Sequence, residues 1–415
     1  MRISIVGSGY VGLVAGACLA KLGSEVTLID TDSERVEAVN NGLSPIHEDG
    51  LNEILGQVHV RATADYRQVV DAGMIFLCVG TPIDEDGSMS LEHIIRATEQ
   101  IVTAMEGGKD YHVIVVKSTV IPGTTEGVII PILERTGRKA GRDFGVCMSP
   151  EFLREGKAVY DFMNPMRLIV GEFDKRSGDT LLDLYRNFNV PVLRTNLRTA
   201  EMIKVASNVF LTMKIAFINE IGNICKQLGI DTYEVAKGMA FDDRIGSKFL
   251  DAGIGFGGSC LPKDLRALIV KARQMGYEPG ILEEILHSNE KQALKPLQLL
   301  KKHISLEGAR IGLLGLAFKP ETDDVRDSRA IWIVQALLQE GAVVKAYDPL
   351  AVANFKKLFP QIDYVAVEEV LNCDAILIIT EWEEFKDLDY IGKIVIDGRR
   401  IPKAREARIY EGVCW

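Results

Sequence analysis

Histidine is scarce, six in 415 residues, and no two fall in an H-E-x-x-H or H-x-x-x-H spacing. That argues against metal-dependent catalysis. The seven cysteines, at 18, 78, 147, 225, 260, 373 and 414, form no C-x-x-C pair and no even spacing. Neither a disulfide framework nor a zinc site is therefore expected, and a reducing cytoplasm is. No run of about 18 apolar residues occurs, so no membrane span is expected. The chain opens directly on the strand-like Arg2-Ile3-Ser4-Ile5-Val6, which leaves no room for a signal peptide. Lys and Arg (48) are outnumbered by Asp and Glu (58), a formal net charge of −10, which disfavours general nucleic-acid binding. A small anionic ligand stays open, because it needs only a local cluster of cations and N–H donors.

What is present is the composition of a soluble globular protein, 47% hydrophobic and 26% charged. Its length exceeds one ordinary core and predicts two or three domains. The first thirty residues follow a βαβ plan. Ile3–Gly7 reads as a strand, Gly7-Ser8-Gly9-Tyr10-Val11-Gly12 as a turn, Val11–Leu22 as a helix and Glu25–Asp30 as a second strand ending in a carboxylate. G-x-G-x-x-G alone is weak, but strand, helix and an acid some twenty residues on make it a dinucleotide fingerprint. The glycines admit the pyrophosphate to the positive end of the helix. Asp30 would accept from the ribose hydroxyls and repel a 2′-phosphate, which favours NAD over NADP. A helix cap with an exposed turn is the alternative use of the same residues.

Further strands are expected at Met74–Val79, Val113–Lys117 and Phe144–Met148. The first two end in Gly80-Thr81-Pro82 and Ser118-Thr119-Val120, where an open α/β sheet binds ligands; simple turns or caps would use the same residue types. Residues 199–228 have helical spacing, with Glu201, Lys204 and Asn208 on one face. A solvated Glu–Lys pair is the ordinary reading, but apolar bulk on both sides predicts a buried helix whose polar groups need partners. From Arg310 the opening pattern returns. Arg310–Leu316 is a strand and glycine turn, Ala342–Asp348 a strand ending in an acid, and Asp374–Thr380 and Ile394–Asp397 complete an α/β half without a full G-x-G-x-x-G. Lys319, Arg326 and Arg329 place cations along residues 318–329, either for a nucleotide or as a solvated charge run.

The densest chemistry lies in Gly255-Phe256-Gly257-Gly258-Ser259-Cys260-Leu261-Pro262-Lys263-Asp264. Glycines bring backbone N–H groups close to an anion, and a cysteine follows with a cation and a carboxylate three and four residues on. A thiolate is a strong nucleophile, and an ammonium or a helix start favours it. Cys260 is the expected nucleophile; an inert cysteine beside a turn is the alternative.

These motifs, with Ser118–Thr124 (STVIPGT), Ser149–Gly156 (SPEFLREG), Ala200–Asn208 (AEMIKVASN), Asp243–Leu250 (DRIGSKFL) and Gly315–Ser328 (GLAFKPETDDVRDS), run in order along nearly the whole chain. Together they resemble the UDP-glucose/GDP-mannose dehydrogenase family. The resemblance implies an α/β fold of two Rossmann-like domains joined by a long central helix and helical domain. These divide as 1–198 for NAD, 199–300 for dimerisation and the active site, and 301–415 for a UDP-sugar. It implies a four-electron oxidation at C6 of the sugar, through a thiohemiacetal and thioester on Cys260, with two NADH formed.

By the same resemblance Lys204 and Asn208 hold the C6 oxygen, and Asp264 positions or deprotonates a water. Glu151 serves as acid/base or water holder, and Thr119 holds a water. Gly7, Gly9, Tyr10, Val11, Gly12, Asp30, Arg35, Thr81, Thr119, Glu155, Lys263 and Arg326 fall to the cofactor. Glu151, Phe152, Leu153, Arg154, Lys204, Asn208, Phe249, Leu250, Gly253, Gly257 and Lys319 fall to the sugar nucleotide, and Arg244 reaches it across a subunit contact in a homodimer. Asp243–Leu250 is similar to the UDP-glucose branch. Leu261, where many of those enzymes carry Phe, and the ending Glu411-Gly412-Val413-Cys414-Trp415 are similar to the GDP-mannose branch. An N-acetylmannosamine enzyme usually has His beside the nucleophile. A two-electron 3-hydroxy acid dehydrogenase would not need the C-terminal half or Cys260, and a non-catalytic NAD-binding scaffold would not need Lys204, Asn208 and Asp264.

Overall fold

The computed structural model describes residues 1–415 as two compact units, Met1–Ser207 and Asn208–Trp415. The first is built on an eight-stranded sheet: β1 (Arg2–Val6), β2 (Glu25–Ile29), β3 (Val60–Thr63), β4 (Met74–Leu77), β5 (Val113–Val116), β6 (Gly145–Met148), β7 (Leu168–Glu172) and β8 (Val192–Thr195). Their order is β3-β2-β1-β4-β5-β6-β7-β8, parallel except for β6 against β7. Strands β4, β5 and β6 are buried at every position, the near-continuous apolar reading of a parallel sheet covered on both faces. The order reverses between β1 and β4, and ligands of such sheets bind at that switch point, beyond the carboxyl ends of the strands.

The second unit repeats the plan with six parallel strands: β9 (Arg310–Leu314), β10 (Val343–Tyr347), β11 (Asp363–Tyr364), β12 (Ala375–Ile378), β13 (Ile394–Asp397) and β14 (Ile409–Gly412), ordered β11-β10-β9-β12-β13-β14. Helices precede it, including Leu261–Gln274 and Gly280–Ala293. One 32-residue helix, Leu197–Leu228, begins in the first unit and ends in the second. No helix is long and apolar enough to cross a membrane.

The two sheets are informative side by side. In the first, Gly7 follows β1 with φ +95°, and a Cβ there would lie 2.9 Å from the Cys78 carbonyl oxygen. Asp30, after β2, accepts from Ser8 N (2.6 Å), Ser8 Oγ (2.7 Å) and Asp32 N (3.0 Å). In the second, Gly315 follows β9 with φ +96° and would strike Thr380, and Asp348 follows β10. Asp348, however, is 3% exposed and accepts five donors: Leu316 N, Ala317 N, Leu350 N, Ala351 N and Trp382 Nε1. A carboxylate so fully engaged has no capacity left for ribose hydroxyls. The second Rossmann-like half thus keeps the turn and the acid, and uses the acid structurally.

Candidate active site

In the first unit the fingerprint has the shape a pyrophosphate requires. Helix Tyr10–Lys21 starts after Gly9 with no side-chain cap and no acid in its first turn, and a Cβ on Gly9 would meet nothing within 4 Å. Orphan N–H groups at a positive helix end, with open space in front, suit an anion. Asp30 Oδ1 carries one observed bond, so acceptor capacity remains for a ribose hydroxyl. Arg35 stands beside it, its Nη1 3.9 Å from Asp30 Oδ2. The residues present fit NAD. Wild-type enzyme is expected to use NAD far better than NADP, and Asp30→Ala to narrow that preference roughly ten- to a hundredfold, the scale of a removed like-charge repulsion. Equal kcat/KM on the two cofactors in the wild type would place Asp30 away from the ribose.

The polar segments after β4 and β5 are tied to each other: Thr81 Oγ1 donates to the Thr119 carbonyl (2.7 Å), and Ser118 Oγ to that of Val79 (2.7 Å). Glu201 fixes the far end of this loop by accepting from Gly123 N (2.5 Å) and Thr125 N (2.8 Å). Burial pushes its carboxyl above the ordinary range despite these bonds. Glu201 is therefore no partner for Lys204. That lysine, 5% exposed, pairs instead with Glu151, 7% exposed, at 2.7 Å. Burial alone would raise Glu151. The charge and hydrogen bond of Lys204, the Leu153 N–H and Lys117 outweigh it and hold the carboxyl below its usual range. Lys204 also lies 5.4 Å from the centre of the Phe152 ring.

The loop that carries Glu151 is held by a residue the sequence did not single out. Glu48, buried, accepts from Gly156 N (2.7 Å) and Ala158 N (2.6 Å), and Gly156 N also donates to Tyr10 Oη (2.6 Å). The fingerprint residue Tyr10 is thus linked to this loop. Leu153 donates its N–H to Glu151. Arg154 is exposed and engaged with Asp161 through two side-chain bonds, of 2.9 and 2.6 Å, and through its backbone N–H, at 3.0 Å. Glu155 is half-buried.

In the second unit Cys260 is exposed and forms the N-cap of helix Leu261–Gln274, where the helix dipole favours negative charge. The other six cysteines are buried. Ser259 Oγ lies 3.5 Å from its Sγ. One turn on, Asp264 donates its N–H to the Cys260 carbonyl (2.9 Å). Its wholly buried carboxylate takes Asn208 Nδ2 (2.6 Å) on one oxygen and Lys263 Nζ (2.6 Å) on the other. Cys260, Asp264, Lys263 and Asn208 therefore lie in one cluster. Lys204 and Asn208 lie one turn apart on the long helix.

The glycine loop before Cys260 packs on residues 318–328. Gly258 N donates to the Arg326 carbonyl (3.0 Å), and a Cβ on Gly257 would strike the Asp327 carbonyl oxygen. Lys319 is half-buried, its Nζ 5.7 Å from the Phe318 ring centre. Arg326 is exposed against Asp324, whereas Arg329 is 2% exposed, so this is no solvated charge run throughout. Phe249, Glu321, Asp327 and Arg400 all have positive φ without being glycine (64°, 62°, 49° and 60°). Such strain gathers where surrounding structure over-determines a ligand site, and Phe249 leads into buried Leu250 and Gly253. Arg244 is exposed and pairs only locally, with Asp242.

Three family models match in order: the UDP-glucose/GDP-mannose dehydrogenase family's NAD binding domain over residues 1–189, its central domain over 198–291 and its UDP binding domain over 312–404. The chain belongs to this family of NAD-dependent oxidoreductases. It is 44% identical over its full length, and that of the relative, to the UDP-glucose 6-dehydrogenase AglM of Haloferax volcanii. It is 37% identical, again over all of both chains, to a GDP-mannose 6-dehydrogenase of Pseudomonas aeruginosa. The solved structure of a UDP-glucose dehydrogenase from Pyrobaculum islandicum matches with a TM-score of 0.97 at 40% identity, covering 100% of this chain and 98% of that one.

Proposed function

We propose that this protein oxidises UDP-glucose at C6 to UDP-glucuronate in two oxidations, the second of them on a Cys260 adduct. The observation that carries this reading is the pairing of a dinucleotide fingerprint with an exposed Cys260 at a helix N-terminus, beside Asp264, Lys263 and Asn208. An alcohol dehydrogenase that stopped at the aldehyde would need no nucleophile. NAD, when bound, accepts the hydride of each oxidation.

The chain's residues supply the rest. Lys204 and Asn208 stabilise negative charge developing on the C6 oxygen as the hydroxyl proton passes to the water held by Asp264. With Glu151 ionised and already bonded to Lys204, the lysine is kept cationic in a buried site. The Cys260 thiolate adds to the aldehyde carbon and the carbonyl oxygen takes a proton, giving the thiohemiacetal. Its oxidation leaves a thioester. Water, positioned by Asp264, with Thr119 and Glu151 as further holders, adds to the acyl carbon; the C–S bond breaks, the thiolate returns and the carboxylate leaves. Phe249–Gly253, Gly257 and Lys319 bind the nucleotide portion, with the Glu151–Arg154 loop on the sugar. We read the chain as three working parts, 1–198, 199–300 and 301–415. None of the seven cysteines forms a disulfide and six are buried, which favours the reducing cytoplasm as the setting. The expected stoichiometry is two NADH per UDP-glucose with a uronic acid product. One NADH and a released aldehyde, read by absorbance and mass spectrometry, would overturn the four-electron reading.

The working assembly we propose is a homodimer packed along the long helix. Phe210, Phe217 and Ile224, spaced by seven residues, are 56%, 48% and 49% exposed, and large apolar side chains repeated at that spacing suit the seam between two packed helices. Exposed Arg244 then reaches a second copy's sugar site. Light scattering is expected to give twice the chain mass, and Phe217→Glu to give monomers. A fully active wild-type monomer at assay concentration would contradict the dimer.

A further inference from the structure

The chain does not trail off after β14. Val413 and Cys414 are 1% and 0% exposed. Lys226 Nζ, on the long helix, donates to the carbonyl oxygens of Gly412 (2.7 Å) and Trp415 (3.2 Å) and pairs with Glu411 (2.7 Å). Thr232 Oγ1 donates to the Cys414 carbonyl, and the Trp415 ring stands edge-on to Tyr233 with centroids 5.5 Å apart. A glycine inside the long helix makes this docking possible: a Cβ on Gly222 would lie 2.6 Å from Cys414 Cβ and 3.3 Å from Ala252 Cβ.

Of these tail residues, Cys414 reaches the backbone of Gly253. Cys414 Sγ lies 3.6 Å from the Gly253 carbonyl oxygen and accepts from Gln292 Nε2 at 3.3 Å. Burial pushes this thiol up to about 12, so it stays an S–H donor. Gln292 Nε2 also donates to the Gly253 carbonyl (2.5 Å), Asn219 Oδ1 accepts from Gly253 N (2.8 Å), and Tyr233 Oη donates to the Ala252 carbonyl (2.8 Å). Three residues on, Asn289 clamps Phe256 through both its N–H (2.8 Å) and its carbonyl (3.0 Å). These amides are buried, and in a low-dielectric interior their hydrogen bonds to the backbone are stronger than in water and hold the segment in place.

We propose that residues 412–415 are a positioning element for the segment 250–257, with Cys414 and Trp415 acting through Gln292 and Tyr233 on Ala252 and Gly253. The proposal rests on the reading that this segment binds the sugar nucleotide. A tail that only added stability would shift Tm without separating the two substrates; a positioning tail changes the site for one of them.

Gly222→Ala tests it, because the added methyl group displaces Cys414. The KM for UDP-glucose is expected to rise roughly tenfold or more, with the KM for NAD unchanged. Cys414→Gly in the same chain removes the clashing Cβ and is expected to restore most of the loss. Hydrogen exchange at the Gly253 and Phe256 amides should quicken in Gly222→Ala and slow again in the double variant. This second readout does not depend on which sugar nucleotide is used, so it decides the proposal even if wild-type enzyme fails to oxidise UDP-glucose. If Gly222→Ala does not fold, Cys414→Ala is judged by the same two readouts. An unchanged KM for the sugar nucleotide with unchanged exchange, or equal changes in both KM values without rescue, would overturn the proposal.

Discussion

Replacing Cys260 by serine is expected to lower turnover by on the order of 10⁶-fold, the scale of loss when a covalent nucleophile is removed. The side chain is exposed and caps a helix that serine caps at least as well, so Tm should hold. Binding of NAD and of the sugar nucleotide should also hold, since neither depends on the sulfur. What disappears is a group that is both a strong nucleophile and a good leaving group. A serine hydroxyl ionises far less readily than a thiol and is a weak nucleophile, and any ester it formed would release its acyl group slowly because alkoxide leaves poorly. Mass spectrometry of the variant after incubation with both substrates is the matching test, with an acyl adduct on Ser as the expected trace. Near-normal turnover in Cys260→Ser would return Cys260 to the role of an inert cysteine beside a turn.

Much of this site was readable because its signals are local. The fingerprint, the acid after β2 and the run from Gly255 to Asp264 each sit within about thirty residues, and spacing alone places them at strand ends and helix starts. Strand β13 falls at Ile394–Asp397 as expected, and the long helix begins two residues before the predicted 199. The partners that hold these residues are another matter. Glu201 and Lys204 have the spacing of an ion pair, yet Glu201 caps a turn at Gly123 and Lys204 pairs with Glu151. Both partners are brought in by the sheet, from more than fifty positions away in sequence. Glu48, Asn219, Asn289 and Gln292 left no local trace either. A lone Glu in a loop or an amide on a helix reads as surface, and only burial shows that it must satisfy backbone groups. The terminal residues carry the same lesson. Chain ends are ordinarily loose, but Cys414 lies against Gly222, and a glycine in the middle of a helix was the one available hint.

Between the two substrates of the family, UDP-glucose is expected to have a kcat/KM higher than that of GDP-mannose by roughly 10⁴-fold or more. The magnitude follows from how a base is read. A pocket that hydrogen-bonds one base edge leaves buried donors and acceptors unpaired when another base enters, and each unpaired group costs its desolvation in full. The direction follows from Asp243–Leu250, which has the form of the UDP-glucose branch. The last residue but one of that run is Phe249, whose backbone is held at φ 64°, and the run enters the segment braced by Asn219, Gln292 and Asn289. A strained residue followed by a backbone held at Ala252, Gly253 and Phe256 readjusts to a larger purine only at a cost. The opposing signs are Leu261 and the chain end. Leu261 opens the helix that follows Cys260, where it changes bulk by one ring, and the end is occupied in bracing Gly253. Steady-state kinetics with both sugar nucleotides at saturating NAD decide the matter. A higher kcat/KM on GDP-mannose would reassign the branch and leave the cysteine chemistry standing, because Cys260, Asn208 and Asp264 serve either sugar.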